Sequence, residues 1–392
     1  MMAVESPFFL KNSKLEIKIM KIAIQAADLD NERIDGTRVY LLNVLKYLGK
    51  ISSKDEFFIY HRNDFNPALE PADFFNYKIK KLGNFKLWTQ TKFAFNIWRD
   101  QVDILWMPMH NLPFFRSKTL KATVTIHDLA FKKFPQTFPK RDLLKLNFLT
   151  DLAVNFSDKI IAVSESTRGD ILKFYPKIKP EKIRVIYHGF DAELFQKNYS
   201  KEIEKKVLER YTLDSKKYFL YVGAIQPRKN LPVLIRAFEI FKEERGGDCK
   251  LVLAGGRAWC WEETLDLVEK SSWKKEIVLT EKISFEDLAI LYRNARLFVF
   301  PSLYEGFGIP VLEAFASGVP AVVARNSSLT EVGGEAAEYF QSDQPSDLKE
   351  KLVGLITNEE RQKELVAKGK EQLGKFSWEK CARETWDYLT EK

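Results

Sequence analysis

Cysteine is scarce. Cys249, Cys260 and Cys381 lie far apart in a chain of 392 residues, with no Cys-x-x-Cys spacing. That argues against a disulfide framework or a zinc cluster and fits a reducing, cytoplasmic compartment. Only four histidines are present, which narrows transition-metal chemistry further. No run of about 18 apolar residues occurs, so the sequence offers no candidate membrane-spanning helix. The opening MMAVESPFFLKNSKLE lacks a long apolar core ahead of small residues, so a secretory leader is not expected. Residues 1–19 read as an N-terminal extension before a strong strand that opens at Met20. That strand is followed by AADLDNERIDG, without Gly-x-Gly-x-x-Gly, which speaks against a nicotinamide dehydrogenase. There is no fixed-period repeat.

What is present is an ordinary globular mixture, 45% apolar and 30% charged, long enough for two or three domains. The net charge of +8 is unevenly held. Residues 1–200 carry 32 Lys and Arg against 22 Asp and Glu, whereas residues 201–392 carry 30 against 32. A basic N-terminal half implies an anionic partner there: a membrane surface, a phosphorylated acceptor or nucleic acid. No nucleic-acid-binding module is recognisable, so nucleic acid is not expected.

Short apolar runs alternate with amphipathic stretches. KIMKIAIQ, EFFIYH, DILWMP, KATVTIH, KIIAVSE and IRVIYHG read as buried strands, with helices such as TRVYLLNVLKYLGK and RDLLKLNFLTDLAVNF between them. The charged stretch 197–217 reads as a linker with a helix. The rhythm then restarts with YFLYVG, KLVLAGG, KEIVLT, ARLFVFPS and PAVVAR. This predicts an α/β chain of two Rossmann-like domains with parallel sheets. They span 20–200 and 201–375, and a helix at 376–392 can pack back on the first.

The sharpest motif is SLYEGFGIPVLEAFASGVP, residues 302–320. A strand ends in Glu305-Gly306-Phe307-Gly308 and runs into a helix starting near Pro310. The glycines allow close backbone approach, and the helix start offers free N–H groups for an anion. Glu305 and Glu313 flank that turn, and a carboxylate accepts bidentate bonds from vicinal hydroxyls; together these suit a sugar nucleotide. In YVGAIQPRKNL a second strand ends at Gly223, and Arg228 and Lys229 precede the next helix. Alone this is a solvated basic turn. Beside the first motif it is a diphosphate clamp at the same sheet edge. His127 ends a strand in TIHDLAF, where Asp128 can orient the imidazole or the pair can simply be locally satisfied. Gly36 opens a helix after the first strand. His188-Gly189 reads as interdomain structure, and the metal-diphosphate pattern Asp28-Leu29-Asp30 is discounted because no second acidic cluster accompanies it.

With Glu305-x7-Glu313, PRKN, LAGG and SGVPAVVA in this order, the chain resembles the family 4 retaining glycosyltransferases, of GT-B fold, from about Met20 to Leu389. HDLAFKKFPQTFP together with YVGAIQPRKN is most similar to the branch of bacterial mannosyltransferases for surface polysaccharides. The resemblance implies two sheets facing across a cleft. The donor, a nucleotide-sugar (GDP-mannose favoured, a UDP-sugar the alternative), would lie on the C-terminal domain and a glycan or lipid-linked sugar acceptor on the N-terminal one. No other cofactor and no metal is implied. Arg228 and Lys229 would bind the diphosphate and Glu313 the ribose. Glu305, with the turn Gly306, Phe307 and Gly308, would hold the sugar. Gly36 and Gly223 would let the backbone approach, His127 would touch the sugar across the cleft, and Glu281 and Lys282 would read the base. Ala224 stands where many relatives carry a basic residue, which throws more of the phosphate work onto Arg228 and Lys229. A basic acceptor domain also suits peripheral contact with an anionic inner membrane face. WTQTKFAFNIW, 88–98, is either an interfacial patch or a buried helix. A non-catalytic sugar-nucleotide scaffold and a phosphorylase are the competing readings.

Overall fold

The strands form where apolar runs can be buried on both faces, and the helices form where the apolar period lengthens to cover them. In the computed structural model residues 19–391 are described. The expected extension over 1–19 therefore lies outside them, save Ile19. The N-terminal sheet has β1 (Lys21–Gln25), β2 (Glu56–His61), β3 (Tyr77–Lys81), β4 (Ile104–Met107), β5 (Lys121–Ile126), β6 (Lys159–Ala162) and β7 (Ile183–Val185), in spatial order β3-β2-β1-β4-β5-β6-β7. The C-terminal sheet has β8 (Tyr218–Val222), β9 (Lys250–Ala254), β10 (Ile277–Leu279), β11 (Leu297–Phe300), β12 (Ala321–Ala324) and β13 (Ala337–Phe340), in order β10-β9-β8-β11-β12-β13. All pairings are parallel.

The predicted pair of Rossmann-like sheets is present. The apolar runs account for eleven of the thirteen strands. The other two, β3 and β13, are sheet edges. In β3 Lys78, Lys80 and Lys81 break the apolar signal, and the exposed Lys78 and Lys81 discourage further pairing at that edge.

In each sheet the strand order reverses once, between β1 and β4 and between β8 and β11. Crevices open at those points on the carboxyl edge, where ligands of such sheets bind. The loops that leave β1, β5, β8 and β11 carry Gly36, His127, Arg228 with Lys229, and Glu305.

The helix Lys201–Arg210, capped by Ser200, pairs its Arg210 with Asp287 of the C-terminal unit. The last helix, Trp378–Thr390, returns to the N-terminal unit. Trp378 packs on Tyr40, Trp386 on Phe57, and the Tyr388 hydroxyl donates to the Lys182 carbonyl at 2.7 Å. The chain thus crosses between units twice. The crossings touch: a Cβ on Gly189 would overlap the backbone of Ser377 and Trp378. One continuous apolar core runs from the first helix, Gly36–Ile51, through the last helix into the C-terminal unit. A second core fills the other face of the N-terminal sheet.

Candidate functional site

Arg228 and Lys229 sit on a single turn after β8, held open by the left-handed Asn230, whose side-chain amide donates to the carbonyls of Pro301 and Ser342. The backbone of that turn is tied to the neighbouring loop, with Leu303 N–H donating to the Arg228 carbonyl at 2.9 Å. Both cations therefore reach Glu305. Arg228 Nη1 lies 2.9 Å from Glu305 Oε2 and Lys229 Nζ 2.5 Å from Oε1. All three side chains are nearly buried, at 10–12% exposure, so this trio is not a screened surface pair. Burial would raise the Glu305 carboxyl, but Arg228 and Lys229 outweigh it and hold it at about 2. Burial likewise lowers Lys229, against the pull of Glu305. Burial also opposes the charge on Arg228, but Glu305 and Asp128 prevail and push its pKa up.

The Glu305–Gly308 turn is shaped from behind. Ser327 accepts from Glu305 N–H at 3.0 Å, and Ser328 donates to the carbonyls of Glu305 and Phe307 at 2.9 and 2.7 Å. Gly308 takes φ 111°, open to glycine alone at low cost, and starts the helix Ile309–Ala316. One turn into that helix, Glu313 accepts from the Tyr292 hydroxyl at 2.9 Å. Burial raises Glu313 to about 7, with Tyr292 opposing. Gly223 has φ 150°, and a Cβ there would stand 2.7 Å from the Tyr221 hydroxyl. That hydroxyl donates to the carbonyl of Ala224, the position that departs from the family pattern and carries no charge.

The N-terminal unit faces this turn directly. The carbonyl of His127 is pressed against Gly306, where a side chain would overlap it. A Cβ on Gly36 would be 3.7 Å from Ile309, an ordinary contact across the cleft. His127 Nε2 lies 2.8 Å from the Pro108 carbonyl. A carbonyl only accepts, so the neutral ring carries its proton on Nε2 and leaves Nδ1 as an acceptor. Burial lowers its pKa and favours that neutral ring. Asp128 does not orient the imidazole as its adjacency suggests; it accepts from Ala130 N–H instead. Pro108 does the orienting. His127 N–H in turn donates to His110 Nε2 at 2.9 Å, with burial and His127 pulling His110 down to about 4.

His188 is buried between the units, against Tyr40, His127, Phe307 and Trp378. Among the described residues neither ring nitrogen has a hydrogen-bond partner, and burial keeps the ring neutral.

Glu281 and Lys282 stand apart from this cluster, exposed at the lip after β10, with Glu281 paired to Arg257. Asp30 is bound to Arg62 and Asn63, and the described residues contain no cluster of three or more His, Cys, Asp or Glu side chains placed to hold a metal.

Sequence reasoning missed the helix Glu165–Phe174 as a docking element. Ser164 and Thr167 donate to the Gly306 carbonyl at 2.7 and 3.3 Å, and Tyr304 donates to Asp170 at 2.7 Å. Glu331 of the C-terminal unit accepts from the N–H groups of Glu165 and Ser166, acting as a cap from across the cleft. The signal was there in Ser164-x-x-Thr167, a capping pattern, but it names no partner.

Comparison with known proteins covers both units. The Glycosyltransferase Family 4 model matches residues 34–194 and the Glycosyl transferases group 1 model matches residues 200–372. O-antigen chain mannosyltransferase B of Escherichia coli is 28% identical over 288 residues, 73% of this chain and 74% of that one. O-antigen chain mannosyltransferase RfbU of Salmonella typhimurium is 27% identical over 282 residues, 72% of each. Among solved structures, Anabaena HepE in complex with UDP-glucose aligns with TM-score 0.74 at 15% identity, over 95% of this chain and 100% of that one. WaaG, a glycosyltransferase of lipopolysaccharide biosynthesis, aligns with TM-score 0.72 at 14% identity over the same shares. These likenesses show the GT-B fold.

Proposed function

We propose a specific reaction for this chain, which belongs to the family 4 glycosyltransferases: transfer of a hexosyl group, mannosyl favoured, from a nucleotide-sugar to a glycan or lipid-linked acceptor in surface polysaccharide synthesis, with retention. GDP-mannose is the favoured donor because the relatives named above are mannosyltransferases. A UDP-sugar is the second reading, since HepE holds UDP-glucose on the same fold.

The observation that carries the proposal is the trio Arg228, Lys229 and Glu305, nearly buried at the switch point, with the His127 carbonyl pressed on the adjoining Gly306. As the anomeric C1–O bond breaks, negative charge grows on the diphosphate and positive charge on the sugar ring. Arg228, Lys229 and the helix start after Gly308 stabilise the first without reorganising. Glu305, fixed as a carboxylate, holds sugar hydroxyls, and Glu313 holds the ribose. His127, with Nδ1 as acceptor, takes a sugar hydroxyl from the opposite wall. Gly223 lets the backbone approach the phosphates, and Glu281 and Lys282 read the base. The acceptor oxygen attacks C1 from the leaving-group face, and its proton passes to the departing diphosphate oxygen. Closure of the cleft keeps water from competing. The reaction is placed at the cytoplasmic membrane face, with the basic N-terminal half toward the bilayer.

Release of free nucleotide from a panel of GDP- and UDP-sugars tests this, with Glu305→Ala/Glu313→Ala as control. Slow hydrolysis of one donor, lost in the control, is the expected result and names the donor. Absence of both hydrolysis and calorimetric binding for every donor would refute it.

A further inference from the structure

His188 is a polar side chain that the reaction above leaves without a task. It is 4% exposed, and neither ring nitrogen has a partner among the described residues. Aromatic rings enclose it instead. Measured between centroids, Tyr40 lies at 4.7 Å, Phe307 at 4.8 Å, Trp378 at 5.5 Å and His127 at 5.6 Å. A neutral imidazole has one N–H to donate and one lone pair to fill. Packed in this way it uses neither, and each buried polar group left so disfavours the arrangement about tenfold. The Trp378 indole N–H beside it is unpartnered as well.

The position of the ring gives that cost a use. His188 and Gly189 lie at the first crossing between the units, pressed on Ser377 and Trp378 of the second. Tyr40 and His127 belong to the N-terminal unit, and Trp378 opens the helix that docks on it. Phe307 alone comes from the opposite wall, from the turn that carries Glu305. Its ring is wedged between the crossings, 6.1 Å from Tyr187 and 5.7 Å from Phe376. Other contacts between the units are complete when the walls meet. Ser164 donates to the Gly306 carbonyl, Tyr304 to Asp170, and the Trp259 indole to the Thr137 carbonyl, each at 2.7 Å. Those bonds favour closure, and the His188 ring opposes it.

We infer that His188 is a positioning residue that limits how long the cleft stays shut: in the closed arrangement Phe307 seals its ring nitrogens from water, and their hydration on opening favours release of the nucleoside diphosphate. It acts through Phe307, whose turn grips the donor, and touches no reacting atom. A rotation of the units about the crossings parts Phe307 from the ring and lets water reach it. The inference goes beyond the reaction proposed above and rests on it only for the identity of the product.

The test pairs His188→Phe with His188→Leu, which keep an apolar bulk in place and remove both nitrogens. Without ligand, each variant should unfold at a higher temperature than wild type, because a buried unpartnered group is gone. Small-angle scattering should show a smaller and more uniform radius of gyration. GDP and UDP are the probes for release, and stopped-flow dissociation of whichever binds should slow about tenfold. In turnover, kcat and donor KM should fall together while kcat/KM changes less than about threefold, because the slowed step follows the chemistry. Lower unfolding temperatures in both variants, with dissociation and scattering unchanged, would overturn the inference and leave the ring a structural group. A fall in kcat/KM with unchanged dissociation would overturn it too, by placing His188 in the chemical step through His127. If wild type binds neither nucleotide the donor reading fails, whereas unfolding and scattering still decide the role of His188.

Discussion

The carbonyl oxygen of His127 rests directly on the α-carbon side of Gly306, so the two walls of the cleft meet through an atom pair that has no room for a methyl group. Gly306 does not need a left-handed backbone here; it needs the absence of a side chain.

Gly306→Ala should therefore hold the units apart. The transfer rate is expected to fall by about 100-fold, as small misplacements of reacting groups commonly cost. Affinity for the free nucleoside diphosphate, gripped from the C-terminal unit, should change by less than about threefold (under 1 kcal/mol). Steady-state kinetics beside calorimetry checks this; near-normal turnover would show that closure does not pass through this contact.

Glu305→Gln leaves Arg228 and Lys229 as nearly buried cations with no carboxylate. Loss of one partner from such a group costs about 3 kcal/mol. Denaturant unfolding should show that loss without ligand. Much of it should disappear in saturating nucleoside diphosphate, whose phosphates supply the missing charge. An equal loss with and without ligand would separate the trio from the phosphate site.

Arg228→Ala and Lys229→Ala should each lower transfer by about 100-fold or more, because charge stabilisation in the transition state is removed. Near-normal rates in both single variants and in the double variant would exclude them from the reaction.

Two glutamates give opposite pH slopes. Glu305, held at about 2 against 4.5, contributes stability in full above pH 4.5 and loses it as pH falls toward 2. Glu313, raised to about 7, contributes below pH 4.5 and loses its contribution as pH rises to 7, by up to about 3 kcal/mol. If its carboxylate binds the ribose, nucleotide affinity should rise about tenfold between pH 6 and 8, the change in its ionised fraction. Glu313→Gln should remove its stability slope and the affinity slope, leaving that of Glu305. A flat affinity profile in wild type would count against Glu313 as the ribose ligand.

Most of the fold could be read from strand runs because parallel strands are buried on both faces and leave unbroken apolar signals. The edges β3 and β13 escaped because Lys78, Lys80 and Glu338 interrupt them. Among site residues, Glu305, Arg228 and Lys229 were legible because glycine turns and charge stand out after apolar strands. His110, Asp170 and Tyr304 were not, since their partners lie 17 or more positions away and only tertiary packing brings them together. Asp128 shows why adjacency left two readings open: it accepts from Ala130 N–H, and the Pro108 carbonyl holds the His127 ring, the locally satisfied alternative.

The return of the last helix has a consequence for synthesis. Tyr40 and Phe57 emerge early, yet the residues that cover them, Trp378 and Trp386, are made after the entire C-terminal sheet. At about 5–20 residues per second, that is a wait of tens of seconds with an apolar face open. The C-terminal unit can close around its own strands meanwhile. The unit translated first is thus completed last, and a nascent chain stalled before Trp378 would present that open face to chaperones.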